Sequence, residues 1–221
     1  MPLRKQTGNM YPFVTHTWNP IKGKCSHDCV YCYMKRFPQK PIRLDERELK
    51  TDLGKDNYIF VGSSTDMFAQ DVPESWIMDV ITRCSIAWPW NDYLFQSKNP
   101  LRFYDFNEWF PQFVVLGTTI ETNRLNYDLC SKNTPDVYAR SAALSTWRGG
   151  KMVTIEPIID FDLGAMMALV MRCNPKWVNI GADSQGHNLP EPSGEKIREL
   201  IEELGKFTEV KLKANLKRLF A

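Results

Sequence analysis

Short apolar runs recur along the chain, and most are followed first by polar residues and then by a stretch with helical spacing. The runs are rich in β-branched and aromatic residues and are short enough to be strands. They predict seven strands, at residues 13–18, 58–63, 93–97, 113–118, 152–155, 177–180 and 209–213.

The stretches between these strands carry apolar residues at helical spacing. In the first of them Ile77, Val80 and Ile81 fall on one face, and Pro73 marks the start of a helix. Helices are predicted at residues 74–87, 136–148, 163–173 and 195–207. Strands alternating with helices imply parallel strands joined by crossover connections. We therefore predict an α/β fold, a partial (β/α)6-type TIM-like barrel in a single domain, because a complete barrel needs about 250 residues.

The composition is that of an ordinary globular protein, with 43% hydrophobic residues, 24% charged residues and a net charge of +2. Such a charge argues against nucleic-acid binding driven mainly by net charge, although it leaves a local basic groove open. No apolar run approaches the roughly 18 residues of a membrane span, and the N-terminus lacks the apolar core of a signal peptide. We expect a cytoplasmic protein without a membrane partner.

Polar side chains follow nearly every predicted strand. In a barrel of this kind the chemistry takes place at the carboxyl ends of the strands. Loops are polar in general, and this explains part of the pattern. It explains less well why the residues after the strands are so regularly small or acidic. The strand-end residues are Asn19, Ser63, Ser64, Thr65, Asp66, Ser97, Lys98, Thr118, Thr119, Glu121, Glu156, Asp183, Lys213 and Asn215.

Three of the six cysteines, Cys25, Cys29 and Cys32, cluster with the spacing C-x3-C-x2-C on the loop after the first strand. Clustered thiols in a chain without a secretion signal indicate metal ligands rather than disulfides. Three thiolates can hold three irons of a [4Fe–4S] cluster and leave the fourth iron without a protein ligand. The alternative is a zinc site, with His27 or an outside group as the fourth ligand, in a nucleic-acid-binding protein without catalysis. A cluster that only transfers electrons is disfavoured, since no fourth cysteine follows nearby.

The segment Cys25-x3-Cys29-x-Tyr31-Cys32 resembles the signature of the radical S-adenosylmethionine (radical SAM) superfamily. The resemblance implies that the open iron binds the amino and carboxylate groups of SAM. It also implies that the reduced cluster cleaves SAM to a 5′-deoxyadenosyl radical, which acts on a substrate. A reductant such as flavodoxin or ferredoxin is the implied electron donor.

The resemblance extends over most of the chain, from about Thr15 to Asn215. Later strand-end motifs are similar to those of an uncharacterised, phage-associated branch that is distantly like spore photoproduct lyase, a DNA-repair enzyme. The chain departs from this branch at residues 181–183, where Gly-Ala-Asp stands in place of a Gly-Gly-Glu-like turn. Nucleic acid or a nucleotide is the substrate class that family analogy suggests.

The resemblance also implies roles for the strand-end residues. Hydroxyls and a carboxylate at the second strand end suit the SAM ammonium group, and Lys98 suits a carboxylate. Tyr31, just before the third cysteine, is expected near the adenine. The expected cofactor-binding residues are Tyr31, Ser63, Ser64, Asp66, Ser97, Lys98, Thr119 and Glu121.

Four further residues are candidates for substrate binding or catalysis. Glu156, Asp183 and Lys213 belong to later strand ends and are expected to contact the substrate. Cys130 follows the fourth strand, and by loose analogy with spore photoproduct lyase it is a candidate catalytic, hydrogen-donating thiol. The alternative for Cys130 is an inert thiol, as most free cysteines are.

Overall fold

The central sheet of the computed structural model, which describes residues 3–220, contains seven parallel strands and one antiparallel edge strand. Strands β1–β10 are, in chain order, Arg4–Lys5, His16–Trp18, Ile21–Lys22, Arg43–Leu44, Tyr58–Val61, Asp92–Gln96, Val114–Thr119, Gly150–Ile155, Trp177–Ile180 and Glu209–Leu212. Their order in the sheet is β1-β2-β5-β6-β7-β8-β9-β10, while β3 and β4 form a separate antiparallel pair.

Each connection between successive parallel strands of the described chain contains a helix. The α-helices α1–α5 are Glu46–Leu49, Glu74–Thr82, Val137–Ser145, Leu163–Cys173 and Gly194–Gly205. Helix α2 continues as a π-helical turn at Arg83–Ala87, and the β6–β7 connection is a 3₁₀ helix at Pro100–Phe106. Shorter 3₁₀ helices lie at Tyr33–Arg36 and Ala214–Leu219. The alternation of strands and helices around a mostly parallel sheet confirms the predicted α/β fold.

The two faces of the sheet bury different sets of side chains. On β6, Tyr93 and Phe95 belong to the large core that packs against the helices, whereas Leu94 points to the opposite face. There it joins a small cluster with Tyr11 and Val14, which come from the segment before β2. This N-terminal segment therefore covers the face of the sheet opposite the large core, here called the inner face. The edge strands β1 and β10 are not paired with each other within residues 3–220.

The main differences from the predicted elements lie near the N-terminus. Strand β1 and the β3–β4 pair are not predicted, since two-residue strands are too short to show an alternating pattern. Strand β2 begins three residues later than predicted because Phe13 leaves the sheet and packs edge-on against Tyr58 and Trp177. No helix between residues 3 and 220 is both long enough and apolar enough to cross a bilayer.

Candidate functional site

The cysteine loop begins directly after β3 and ends at the first 3₁₀ helix. Gly23 at its start has a φ of +116°, and a Cβ there would lie 2.4 Å from the carbonyl oxygen of Pro41. A side chain at this position therefore has neither the space nor the backbone freedom that it needs. Thr65 Oγ1 donates to the carbonyl of Gly23 at 3.0 Å. This bond holds the loop against the carboxyl end of β5.

Cys25, Cys29 and Cys32 lie together on the cysteine loop. Burial raises the pKa of Cys25 and Cys32, and the nearby Cys29 raises both further, so the three lie within electrostatic range of one another. Within residues 3–220, no three His, Cys, Asp or Glu side chains meet in the arrangement that holds one metal ion. In a [4Fe–4S] cluster each thiolate binds a different iron, and the ligands stand further apart. Three thiolates are the donor set that a cluster with three protein ligands would use.

His27, the suggested fourth ligand of a zinc site, is already engaged within the protein. It is only 4% exposed. Its Nδ1 is hydrogen-bonded to Thr134 Oγ1 at 3.0 Å and its Nε2 to Asp66 Oδ2 at 2.9 Å. Neither ring nitrogen can bind a metal without losing one of these bonds. Through these contacts His27 links the cysteine loop to Asp66, at the strand ends, and to Thr134.

Asp66 is the centre of a hydrogen-bond network at the ends of β5 and β6. Besides His27, it accepts hydrogen bonds from Ser97 Oγ at 2.9 Å and from the amide of Lys98 at 2.8 Å. Burial alone would raise the pKa of Asp66, but the hydrogen bond from His27 and the amide donors lower it. Asp66 is thus held as a carboxylate. Its position brings the predicted residues Ser97 and Lys98 up to the cysteine loop.

Ser63 and Ser64 lie beside Asn19, at the adjacent strand ends. Ser63 Oγ donates to Asn19 Oδ1 at 3.2 Å, and the amide of Ser64 donates to the same oxygen at 2.9 Å. Tyr33 OH donates to the carbonyl of Ser63 at 3.1 Å. The turn after β5 is therefore held both by Asn19, which follows β2, and by the 3₁₀ helix that follows the cysteine loop.

A buried charge cluster is centred on Glu121, which is 1% exposed. Arg140 Nη1 donates to Glu121 Oε2 at 2.9 Å, and Lys98 Nζ lies 3.4 Å from Oε1. Tyr31 OH also donates to Glu121, and Lys98 Nζ lies 5.3 Å from the centre of the Tyr31 ring. Burial would raise the pKa of Glu121, but Arg140 and Lys98 lower it to about 2. Three predicted cofactor-binding residues are thus brought into contact.

Cys130 lies in the loop between β7 and α3, next to the cysteine loop. Its Sγ is 3.0 Å from Cys29 Sγ and 4.0 Å from Tyr31 OH. The amide of Val30 donates to the carbonyl of Leu129 at 2.9 Å, so the backbones of the two loops are also joined. The structure therefore brings the candidate catalytic thiol to the candidate cluster site.

Glu156 and Lys213 form a second polar group, further along the row of strand ends. Lys213 Nζ lies 2.7 Å from Glu156 Oε2. Glu156 Oε1 accepts hydrogen bonds from Asn9 Nδ2 at 2.9 Å and from Asn215 Nδ2 at 3.4 Å. A Cβ on Gly181 would lie 2.8 Å from the Glu156 carboxyl group, so the glycine leaves space for that side chain. Two of the three predicted substrate residues are therefore paired.

Asp183, the third predicted substrate residue, mainly orders its own loop. Its Oδ1 lies 2.7 Å from His187 Nδ1 and accepts from the amide of Gln185 at 3.1 Å.

Thr119, a predicted cofactor-binding residue, lies on the inner face of the sheet. It accepts from Gln96 Nε2 at 3.1 Å, and Gln96 in turn accepts from Tyr11 OH at 2.8 Å.

Several residues of the site are absent from the predicted set. Arg140 lies on α3, where a lone charge is typical of an exposed helix face, and only its packing shows that it is buried. Tyr11 and Asn9 precede the first predicted strand and follow no strand end. No spacing signal in the chain links any of these three to Glu121 or Glu156.

The fold and the site together define a class: an α/β protein that carries a three-cysteine loop at the carboxyl ends of the strands of a mostly parallel sheet. The chain belongs to the family described as "Protein of unknown function (DUF5131)", whose model matches residues 9–200. No curated protein matches the chain in sequence.

Solved structures of spore photoproduct lyase share the fold. A cysteine-to-serine mutant of that enzyme matches with a TM-score of 0.65 and 12% identity, over 95% of this chain and 80% of that one. Another mutant, with bound AdoMet and dinucleoside spore photoproduct, matches with a TM-score of 0.59 and 12% identity, over 93% of this chain and 66% of that one. At such identity the likeness establishes the fold alone.

Proposed function

We propose that this protein is a radical SAM enzyme whose [4Fe–4S] cluster is held by Cys25, Cys29 and Cys32. The observation that carries the proposal is that these three thiols stand on one loop, at the same sheet edge as Lys98 and Glu121. The fold shared with spore photoproduct lyase supports it, since a structure of that enzyme contains AdoMet. When bound, the cluster and SAM would supply a 5′-deoxyadenosyl radical.

The chain's own residues would bind and orient SAM. Lys98 is held by Glu121 beside the Tyr31 ring, and two cations against one carboxylate leave positive charge for the SAM carboxylate. We assign Tyr31 to the adenine. Asp66 has several hydrogen bonds within the protein, so in this proposal it orders Ser97 and the cysteine loop in addition to meeting the ammonium group. The remaining proposed cofactor-binding residues are Ser63, Ser64 and Thr119.

The proposed substrate is a nucleotide or nucleic-acid component, which would be bound by Glu156, Asp183 and Lys213. The Glu156–Lys213 pair offers both a hydrogen-bond acceptor and a donor with little net charge, which suits a neutral, polar ring such as a base. A relative in fold binds a dinucleoside photoproduct, and this supports the same class. We further propose Cys130 as a candidate catalytic thiol, and flavodoxin or ferredoxin as the cytoplasmic electron donor.

Anaerobic reconstitution tests the proposal. The wild-type protein is expected to take up about four irons and four sulfides per chain, turn brown, and release 5′-deoxyadenosine from SAM when a reductant is added. Cys29→Ala should lose both the cluster and SAM cleavage, whereas Cys173→Ala, which changes a buried thiol on α4, should keep both. Colourless protein with stoichiometric zinc would contradict the proposal and favour the zinc-dependent nucleic-acid-binding alternative.

The substrate assignment has its own test. Candidate nucleosides and nucleotides carrying deuterium are incubated anaerobically with the reconstituted enzyme and SAM. Transfer of label into 5′-deoxyadenosine identifies the substrate and the site of attack. Lys213→Met should reduce this transfer while SAM cleavage without substrate is retained. Equal transfer by the variant would remove Lys213 from the substrate site.

A further inference from the structure

The contact between Cys130 and Cys29 joins residues that are 101 positions apart in the chain. The Cys130 S–H donates toward Cys29 Sγ across 3.0 Å. Cys29 is buried and Cys130 is partly buried. The Cys130 thiol is therefore close enough to donate a hydrogen bond to the sulfur of Cys29, a proposed cluster ligand.

The backbone fixes this contact from both sides. The amide of Val30, next to Cys29, donates to the carbonyl of Leu129 at 2.9 Å. The amide of Ser131 donates to the carbonyl of His27 at 2.7 Å. Because Leu129 and Ser131 flank Cys130, these two backbone hydrogen bonds hold the Cα of Cys130 next to the cysteine loop.

We propose that Cys130, in addition to its proposed role as a catalytic thiol, is a positioning residue for the cluster: its S–H donates a hydrogen bond to the Cys29 thiolate and thereby raises the reduction potential of the cluster. The inference rests on the proposed function. Hydrogen bonds to the cluster sulfurs are among the features that set the potential of an iron–sulfur cluster. One added electron makes the thiolate ligands more negative and strengthens the bond, while the proton stays on Cys130 and no covalent bond breaks.

The test is the midpoint potential of the reconstituted cluster, measured by an EPR-monitored redox titration without substrate. Cys130→Ala is expected to lower the equilibrium constant for one-electron reduction roughly tenfold, a shift of about 59 mV to more negative potential. Cys130→Ser should stay close to wild type because its hydroxyl can donate to the same sulfur. Cys173→Ala, remote from the loop, should leave the potential unchanged.

Three outcomes would overturn the inference. The first is a Cys130→Ala potential equal to that of wild type, and the second is a Cys130→Ser potential that falls as far as that of the alanine variant. In the third, Cys130→Ala loses one iron and gives the spectrum of a three-iron cluster, which would make Cys130 a ligand instead. If the wild-type protein assembles no cluster at all, the proposed function fails first, so the two failures are distinguishable.

Discussion

At the scale of single residues, the site is organised by charges that are buried together. Glu121 is 1% exposed and faces both Arg140 and Lys98. Removing either member of a buried ion pair destabilises the protein strongly, because the other member remains charged in a low-dielectric interior. Lys98 still has a 14% exposed side chain, so it is the cation of the two that a ligand could reach.

Arg140→Ala tests this arrangement by stability rather than by activity. We expect it to lower the free energy of unfolding by about 3–5 kcal/mol, because Glu121 would keep its burial and lose its closest cation. Urea denaturation followed by circular dichroism measures the change. Arg148→Ala, at an exposed position after the same helix, is the matched control and should change stability by less than about 0.5 kcal/mol. An Arg140→Ala protein as stable as the control would contradict the assignment.

The depressed pKa of Glu121 predicts a pH dependence of stability. Its pKa falls from an ordinary value of 4.5 to about 2, so its contribution is fully present above pH 4.5 and is lost as the pH falls toward 2. The lost contribution is about 3 kcal/mol. We expect wild type to lose this much more stability than Glu121→Gln over that interval, in denaturation series at several pH values. Parallel pH profiles would show that Glu121 titrates normally.

At the scale of elements, the loops after the strands are tied to one another rather than standing free. The cysteine loop is bonded to the end of β5 through Thr65 and Gly23, and to the β7–α3 loop through Val30 and Leu129. These hydrogen bonds within the protein preorganise the loop. Such preorganisation lowers the entropic cost of binding.

Gly23, the one glycine of the cysteine loop, should not tolerate a side chain. Gly23→Ala is expected to lower iron uptake on reconstitution and to destabilise the protein by more than the roughly 1–2 kcal/mol that a left-handed backbone costs other residues, because the new Cβ meets the Pro41 carbonyl. Gly186 also has a positive φ, but nothing lies within 4 Å of its Cβ position. Gly186→Ala should therefore keep normal iron uptake. Equal iron content in both variants would contradict the steric argument.

At the scale of the whole molecule, the parallel sheet brings distant parts of the chain to one edge. The cysteine loop, Lys98, Glu121 and the Glu156–Lys213 pair all lie at or beyond the carboxyl ends of its strands. The N-terminal segment reaches the same edge from the inner face of the sheet. There Tyr11 OH donates to Gln96, and the Lys213 ammonium lies 4.8 Å from the centre of the Tyr11 ring. Residues from nearly the full length of the chain thus meet at this edge of the sheet.

Cluster binding should stabilise the whole fold, since a ligand that binds the folded state alone raises its stability by mass action. We expect the melting temperature of the reconstituted protein, measured anaerobically by calorimetry, to exceed that of the metal-free protein. Removing the iron with a chelator should reverse the shift. Cys29→Ala should show no shift under the same treatment. Equal melting temperatures of the metal-free and the reconstituted protein would contradict this prediction.

The seven strands predicted from the sequence correspond to the seven parallel strands of the sheet. The apolar runs of β5–β9 are largely buried and are bounded by turn residues, whereas β10, at the edge of the sheet, has no buried residue. The predicted helix at residues 163–173 has the bounds observed for α4. The predictions fail where the local pattern is weak, as in the two-residue strands, and where the helix from Glu74 changes to a π-helical turn after Thr82.

The sequence by itself determined the order of strands and helices and the spacing of three thiols on one loop, since both depend on residues close together in the chain. Only the tertiary structure decided that Cys130 lies against Cys29, that Arg140 is buried on Glu121, and that both ring nitrogens of His27 are occupied. These contacts join residues that are 19 to 107 positions apart. Such pairings come from the folding of the sheet and its helices into one core, and no local pattern records them.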